Sequence, residues 1–521
     1  MNPSTQRAFQ GGRILTMDPW NAAPEVLVID GDRVVAAGDR GILQSYPDAA
    51  VEDLAGRTLV PGFIDAHNHL SIAALHPLWA DVTHATSEEA LRAEFATHAA
   101  REPEAHWLRA ANWNEVSTGL LLDRHTLDVI VPDRPAIVAH YSLHQCVVNS
   151  RALDELEIGR TTPDPLGGII AHEPDGEPSG LLIERAWSES HARSMAVYRD
   201  PARWADLFAA RARQLLRDGI TCVHDAACGP SAEAVYRAMH RADTLPISVL
   251  MMLHGEAILV NRFDSRLDGL TTGAGDERLR VGPVKFFADG GIMPAMDVSI
   301  GGQRSAFGIE FADVADGVVA AVARGFRVAI HAIGNVGVKN AMAALTRAAR
   351  VRRDDDHRFR IEHASLVSPP QVGEMRALGI VAVVQPGFLD HIGRAVEAVP
   401  FDEEVWLPFG DLARAGVPLA ASSDDPCAFH EPLRTSAQGA TRRTGSGNVF
   451  RPEQAVSYEE WLRAYSAGAA YAGGQEHERG TLTPGKRADL VVLEGPLDPE
   501  HPPRVAETWV AGERVYSATE D

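Results

Sequence analysis

Cysteine is scarce in this chain, with only Cys146, Cys222, Cys228 and Cys427 among 521 residues. They form no C-x-x-C pair and are too few for a disulfide framework. Long apolar runs are missing too: no stretch of about 18 apolar residues occurs, so no membrane span is expected. The opening MNPSTQRAFQ lacks the apolar core of a secretory signal, and a cytoplasmic location is the expectation. Positive charge is short as well, 49 Lys and Arg against 71 Asp and Glu, a formal net charge of −22 at pH 7. Such a surface repels phosphate backbones and anionic lipid, which sets nucleic-acid and membrane partners aside. Solvated acidic faces account for the charge without implying a function. With 45% apolar and 23% charged residues, the chain has the composition of a globular protein. Its length holds a large domain plus a smaller one, or three ordinary domains.

One unit recurs: helical segment, glycine, apolar strand, polar end. It reads LLRDG-ITCVHDA around Gly219, VVAAVARG-FRVAIHAIG around Gly325, GEMRALG-IVAVVQPG around Gly379 and DLARAG-VPLAASSDDP around Gly416. Each glycine can adopt the left-handed conformation that closes a helix. Each strand is a near-continuous apolar run, as expected of a strand buried on both faces. Eight such strands are expected, at 59–69, 220–226, 247–253, 281–289, 326–334, 359–365, 380–387 and 417–425. Eight parallel strands alternating with helices predict a (β/α)8 TIM barrel. The rival is an open doubly wound sheet, but no Gly-rich phosphate-binding turn follows the first strand.

The barrel is expected over 59–478. Residues 71–218 are too many for one crossover and must form a long insertion after the first strand. Within it a helix is expected to begin near Thr86, with Thr86 and Glu89 as a capping box. Residues 1–58 and 479–521 share short strands with Gly-Asp turns, and are expected to meet as a small β-sandwich domain built from both termini.

The first strand closes on FIDAHNHL, residues 63–70. Side chains at i and i+2 share one face of a strand. His67 and His69 therefore point the same way, about 7 Å apart along the strand, which suits a shared metal ion and equally suits two polar residues entering a loop. The other strand ends weigh the choice, because reacting groups in such barrels gather at the C-terminal ends of the strands. There stand Lys285 in VKFFADGG, His331 in VAIHAIGN, His363 in RIEHAS and Asp424 in ASSDDP. A lone histidine in such a strand is more often a satisfied core residue; four histidines, a lysine and an aspartate at equivalent ends argue for one site. Imidazole and carboxylate ligands suit zinc, iron or manganese. Lysine among cations is useful only when neutral, which burial favours. Asp424 can take a proton from a metal-activated water and pass it to a leaving group.

At this point the chain resembles the amidohydrolase superfamily, in the amidohydrolase 3 branch that includes N-substituted formamide deformylases. The resemblance rests on PGFIDAHNH, VKFFADG, IHAIG, EHAS, SSDDP and the closing GTLTPGKRADLVVLEG, with VVNSRAL and GGIIAHEPDGEPSGLLIE in the insertion, and runs over essentially the whole chain. It implies that His67 and His69, aided by Asp424, bind the more buried of two divalent metals, and that His331 and His363 hold the second. It further implies zinc, with manganese or iron as alternatives, bridged by a carboxylated Lys285, and Asp424 as general acid/base. The implied reaction is hydrolysis of a C–N bond in a small amide, N-acyl or N-formyl, by metal-bound hydroxide. Alternatives are another reaction on the same site (deamination, cyclic-amide or ester cleavage, isomerisation) or a non-catalytic metal-binding barrel. A small-molecule amide is the expected partner, and a homodimer is left open.

Several positions depart from the branch pattern. Asn335 stands where the branch commonly has Asp. The 289–302 loop, DGGIMPAMDVSIGG, is bulkier and carries Met293 and Met296, and ANWNEV places Trp113 and Asn114 in a commonly Gly-aromatic-Asp triplet. These surround the pocket and point to an altered substrate with retained chemistry. His144, Trp113, Gln385 and Asp289 are the candidate substrate contacts. His144 either polarises a carbonyl or bonds the insertion's backbone, Gln385 has the same two readings, and Trp113 either lines a pocket or packs. His224 and Asp225 are placed to orient a metal ligand. Cys427 has no activating motif and reads as packing.

Overall fold

The structure, a computed structural model, describes residues 5–21, 23–261, 264–352 and 356–519. Residues 1–4 and 520–521, counted in the expected β-domain, lie outside the described residues.

Eight parallel strands form one sheet in chain order: β1 (Phe63–Asn68), β2 (Ile220–Cys228), β3 (Ser248–Leu253), β4 (Leu279–Phe287), β5 (Val328–Ala332), β6 (Arg360–His363), β7 (Val381–Val384) and β8 (Leu419–Ala421). The ring closes between β1 and β8 through main-chain bonds just past the ladder. Asp424 N donates to His67 O at 2.8 Å, and His69 N donates to Asp425 O at 2.8 Å. Asp65 reinforces this seam by accepting from Ser423 N at 2.9 Å and Ser423 Oγ at 2.5 Å. This is a (β/α)8 barrel. Its strands are buried throughout apart from Arg280 and Leu419, because helices cover the outside and side chains fill the inside.

The long outer helix α1 (Pro201–Arg217) shows how the sequence builds that cover. Asp200 accepts from Ala202 N and Arg203 N, and Pro201 opens the first turn. Trp204, Phe208, Ala212, Leu215 and Leu216 then recur at helical spacing and are buried. The four glycines of the recurring unit close helices with positive φ, at +78° (Gly219), +89° (Gly325), +63° (Gly379) and +74° (Gly416).

The expected strand 59–69 is two strands. Thr58–Pro61 pairs with Leu490–Glu494 in a five-stranded sheet, and β1 begins after Gly62. The glycine allows close passage, since a Cβ there would lie 2.4 Å from Thr221 Oγ1. Residues from both ends of the chain share that sheet, whose order is Arg13–Ile14, Thr58–Pro61, Leu490–Glu494, Arg504–Val510, Glu513–Ser517. A four-stranded sheet from the N-terminal segment packs on it around Phe9, Leu27, Ile29, Leu59, Leu490 and Trp509.

Between β1 and β2 the chain forms a six-stranded sheet, from Ala80–Asp81 to Pro178–Glu184, and helices. The first long helix there, Glu88–Arg101, is capped by Ser87, whose side chain accepts from Ala90 N, and not by Thr86. Thr86 lies one residue too early, and Ala90 at the third helical position has no side chain to complete a box. Among the described residues no helix is long and apolar enough to cross a membrane.

Candidate active site

The barrel's C-terminal mouth brings the six strand-end residues together. His67, His69, Lys285, His331, His363 and Asp424 all line one hollow of about 30 Å³. Asp424 Oδ1 is 3.3 Å from His67 Nε2 and 3.2 Å from His69 Nε2. Lys285 Nζ is 3.1 Å from His67 Nε2. The rings of His67 and His363 lie 4.9 Å apart between centroids, those of His331 and His363 4.6 Å. One ligand atom each from His67, His363 and Asp424 fits within 4.8 Å of the others. Two of these residues sit on strained backbone, His363 at φ 75° and Asp424 at φ 64°. Such conformations in bulky residues concentrate at functional sites.

The electrostatics prepare lone pairs. Burial, reinforced by Lys285 for His67 and by His363 for His331, pushes both imidazoles well below their ordinary range. Burial also lowers His363 to about 4. Burial lowers Lys285 to about 8 against the pull of Glu362 and Asp424. For Asp424 burial acts upward, but the His69 hydrogen bond and the neighbouring imidazoles outweigh it and hold the carboxyl below the ordinary range. Imidazoles at His67, His331 and His363 that burial keeps neutral, a carboxylate and a lysine of weakened basicity are a ligand set for a divalent cation. His331 Nε2 is buried with no hydrogen-bond partner, which a metal ligand would be in the absence of its ion. The residues fit the metal that the donor set implies.

Residues beneath the six clustered side chains aim them. His67 Nδ1 meets Glu362 Oε2 at 2.5 Å, and Glu362 is held in turn by both Arg360 Nε and Nη2 at 2.8 Å. His69 Nδ1 donates to Ala226 O at 2.8 Å, so β2 orients it through main chain and not through Asp225. Asp225 accepts from Ser71 Oγ and Tyr236 OH. His224 contacts Arg360 at 3.1 Å and reaches the clustered side chains only through the Arg360–Glu362 pair. Gln385 lies on His363, its Oε1 2.9 Å from Nδ1, while its Nε2 donates to Ser422 Oγ. Gln385 therefore acts through His363. Glu362 and Arg360 escaped the sequence reading although RIEHAS contains both.

The remaining candidates separate. His144 lines the hollow. Trp113 packs inside the insertion's own apolar cluster, with Nε1 donating to Leu120 O. Asp289 is fully buried, and its carboxylate accepts from Ala295 N, Ile333 N and Gly334 N at 2.8–3.1 Å. Asn335 accepts from Asp297 N and donates to Asp297 O, a two-way bond that a carboxylate could not make. Cys427 is buried, and burial raises its thiol well above the ordinary range.

The hollow opens into a cavity of about 400 Å³ whose walls include Ile292, Pro294, Met296, Phe388, Phe401 and Trp406. Among the described residues no Lys or Arg lines it. Met296 belongs to the hairpin Met296–Ile300 and Gln303–Phe307 that covers one side.

Residues 50–516 match the model of the amidohydrolase family. The chain is 32% identical to the N-substituted formamide deformylase of Arthrobacter pascens over 505 residues, covering 93% of each protein. It is 29% identical to Protein LONG AFTER FAR-RED 3 of Arabidopsis thaliana, covering 97% of this chain and 90% of the relative. A metal-dependent hydrolase of Pyrococcus horikoshii OT3 has the same fold, with TM-score 0.73 and 23% identity, over 95% of this chain and 98% of that one.

Proposed function

The chain belongs to the amidohydrolase family, and from that premise we propose that it is a metal-dependent hydrolase cleaving the C–N bond of a small, neutral N-acyl or N-formyl amide with an apolar substituent. The observation that carries this reading is the single hollow lined by His67, His69, Lys285, His331, His363 and Asp424 at the floor of an apolar cavity. The 32% identical relative acts, by its name, on N-substituted formamides. The apolar walls, with no Lys or Arg among the described lining residues, suit a neutral, apolar substituent.

His67, His69 and Asp424 would hold one divalent metal and His331 and His363 a second, zinc by preference, and Lys285, once its amine has added carbon dioxide and lost a proton, would serve both as a carbamate. Such metals, when bound, polarise a carbonyl and acidify water. The chain's own residues do the rest. Glu362 and Gln385 fix the rings of His67 and His363. Asp424 takes the proton of the attacking water and delivers it to the departing nitrogen, so the C–N bond breaks as a C–O bond forms and an amine and a carboxylic acid leave. The cavity walls exclude bulk water and seat the substituent.

Metal analysis of protein purified without chelator, followed by a panel of secondary formamides, acetamides, cyclic amides and esters, tests this reading. About two metals per chain and turnover of the acyclic amides are expected. Asp424→Asn should retain metal and lose about 10³-fold or more in kcat. Undiminished turnover in that variant, with metal content confirmed, would remove Asp424 from the reaction.

A further inference from the structure

Glu184 is the last residue of the insertion strand Pro178–Glu184, and it lies against the cavity wall without touching any of the six clustered residues in a hydrogen bond. Its backbone is at φ 52°, ψ −128°, a conformation that a non-glycine residue keeps only where its surroundings impose it. It is fully buried. Oε2 is 2.6 Å from His144 Nδ1, and Oε1 accepts from Ile292 N at 2.9 Å and Met293 N at 3.0 Å. Its own N–H donates to His144 O at 2.7 Å. The loop after β4 leaves room for this pair with two adjacent glycines. A Cβ at Gly290 would lie 2.5 Å from Glu184 Oε1, and one at Gly291 2.4 Å from the His144 ring.

Gly291 N also points at His144 Nδ1, at 3.0 Å. The two contacts demand opposite states of that nitrogen. If Nδ1 accepted from Gly291, its lone pair would face a carboxylate oxygen at 2.6 Å, which is repulsive. A proton on Nδ1 makes the shorter contact a charge-assisted bond, and this arrangement prevails. The other ring nitrogen, Nε2, then carries the lone pair, and among the described residues it has no hydrogen-bonding partner. His144 lines both the hollow and the apolar cavity, with its ring 5.2 Å from that of His331.

We infer that Glu184 is a positioning residue that fixes the proton of His144 on Nδ1, so that Nε2 accepts a hydrogen bond from the N–H of a secondary amide held beside His331. This rests on the proposed amide hydrolysis and narrows its substrates to amides that carry an N–H. It assigns the insertion a share in specificity, since both members of the pair come from it. The carbonyl is left to the metal side of the hollow.

The test compares formanilide with N-methylformanilide on the zinc-loaded protein. The native chain should favour the secondary amide by about tenfold or more in kcat/KM, the worth of one well-placed hydrogen bond. Glu184→Gln and His144→Phe should each abolish that preference with metal content unchanged. The double variant should lose no more than either single one, because Glu184 acts through His144. A preference that survives in both single variants, or losses that add, would overturn the inference. Histidine-selective 15N spectra of the same zinc-loaded protein read the proton directly and need no substrate. A proton on Nδ1 of His144 that is displaced in Glu184→Gln supports the inference; a native chain with the proton on Nε2 overturns it. If no amide is turned over at all, the hydrolysis reading fails, and the spectra still decide where Glu184 places the proton.

Discussion

At the scale of single residues, the ligand-type side chains were legible because each ends an apolar strand, and strands of a parallel barrel end at one mouth. Their supports were hidden by the backbone. Consecutive strand residues face opposite ways, so Glu362, next to His363, reads as pointing away from the site. The positive φ at His363 and again at Ala364 (φ 41°) turns the chain as β6 ends, and that turn lets Glu362 serve His67 while His363 faces the hollow. Glu362→Gln tests this support. The amide keeps the shape but weakens the bond to His67 Nδ1 and leaves Arg360 without its bidentate carboxylate. Loss of such a partner commonly weakens metal binding about 10- to 100-fold. A chelator competition should show that drop, and equal retention in the variant would mean that the contacts of Ala226 to His69 and of Gln385 to His363 suffice to hold the cluster.

At the scale of elements, the barrel strands were legible from their apolar runs, while their ends and the parts above them were not. Asp289 closes the run VKFFAD and reads as a site residue by position. The structure has it as the staple between two strand ends, bonding Ala295, Ile333 and Gly334. Burial raises its carboxyl to about 8, against the three N–H groups that favour the charge. Gly337 gives it room, since a Cβ there would lie 2.4 Å from its carboxylate. A sequence shows a carboxylate but not the main-chain donors that a loop folds around it. Asp289→Asn keeps one acceptor and turns an NH2 toward an N–H that needs one. We expect a loss of about 2–3 kcal/mol, the order for stranding buried donors, read as a lower urea midpoint. Asn335 is a second case. Its amide pairs with both main-chain polar groups of Asp297 and anchors the hairpin beside the cavity.

At the scale of the whole molecule, two charge effects pull the acid stability in opposite directions. The formal charge of −22 at pH 7 repels itself, and acid relieves that repulsion, so a surface-dominated chain would gain stability as pH falls from 7 toward 5. The interior argues the reverse. Burial lowers His76 and His98 to about 4, His224 and His254 to about 3, and His191 well below its ordinary range. None of these is among the six clustered strand-end residues. Below pH 6.5 the unfolded chain protonates them and the folded chain does not, so each lost proton lowers stability by about 1.4 kcal/mol per pH unit until the folded value is reached. Asp65 and Asp225, raised by burial to about 6, and Asp289, raised to about 8, bind protons in the folded state first and oppose this. The lowered histidines, joined by His391, outweigh the raised carboxyls near pH 5, and the balance favours higher pH. The urea midpoint should therefore fall from pH 7 to pH 5. A flat or rising midpoint would mean that relief of surface repulsion outweighs the buried histidines, and an unchanged result in a His98→Phe variant would remove that histidine from the account.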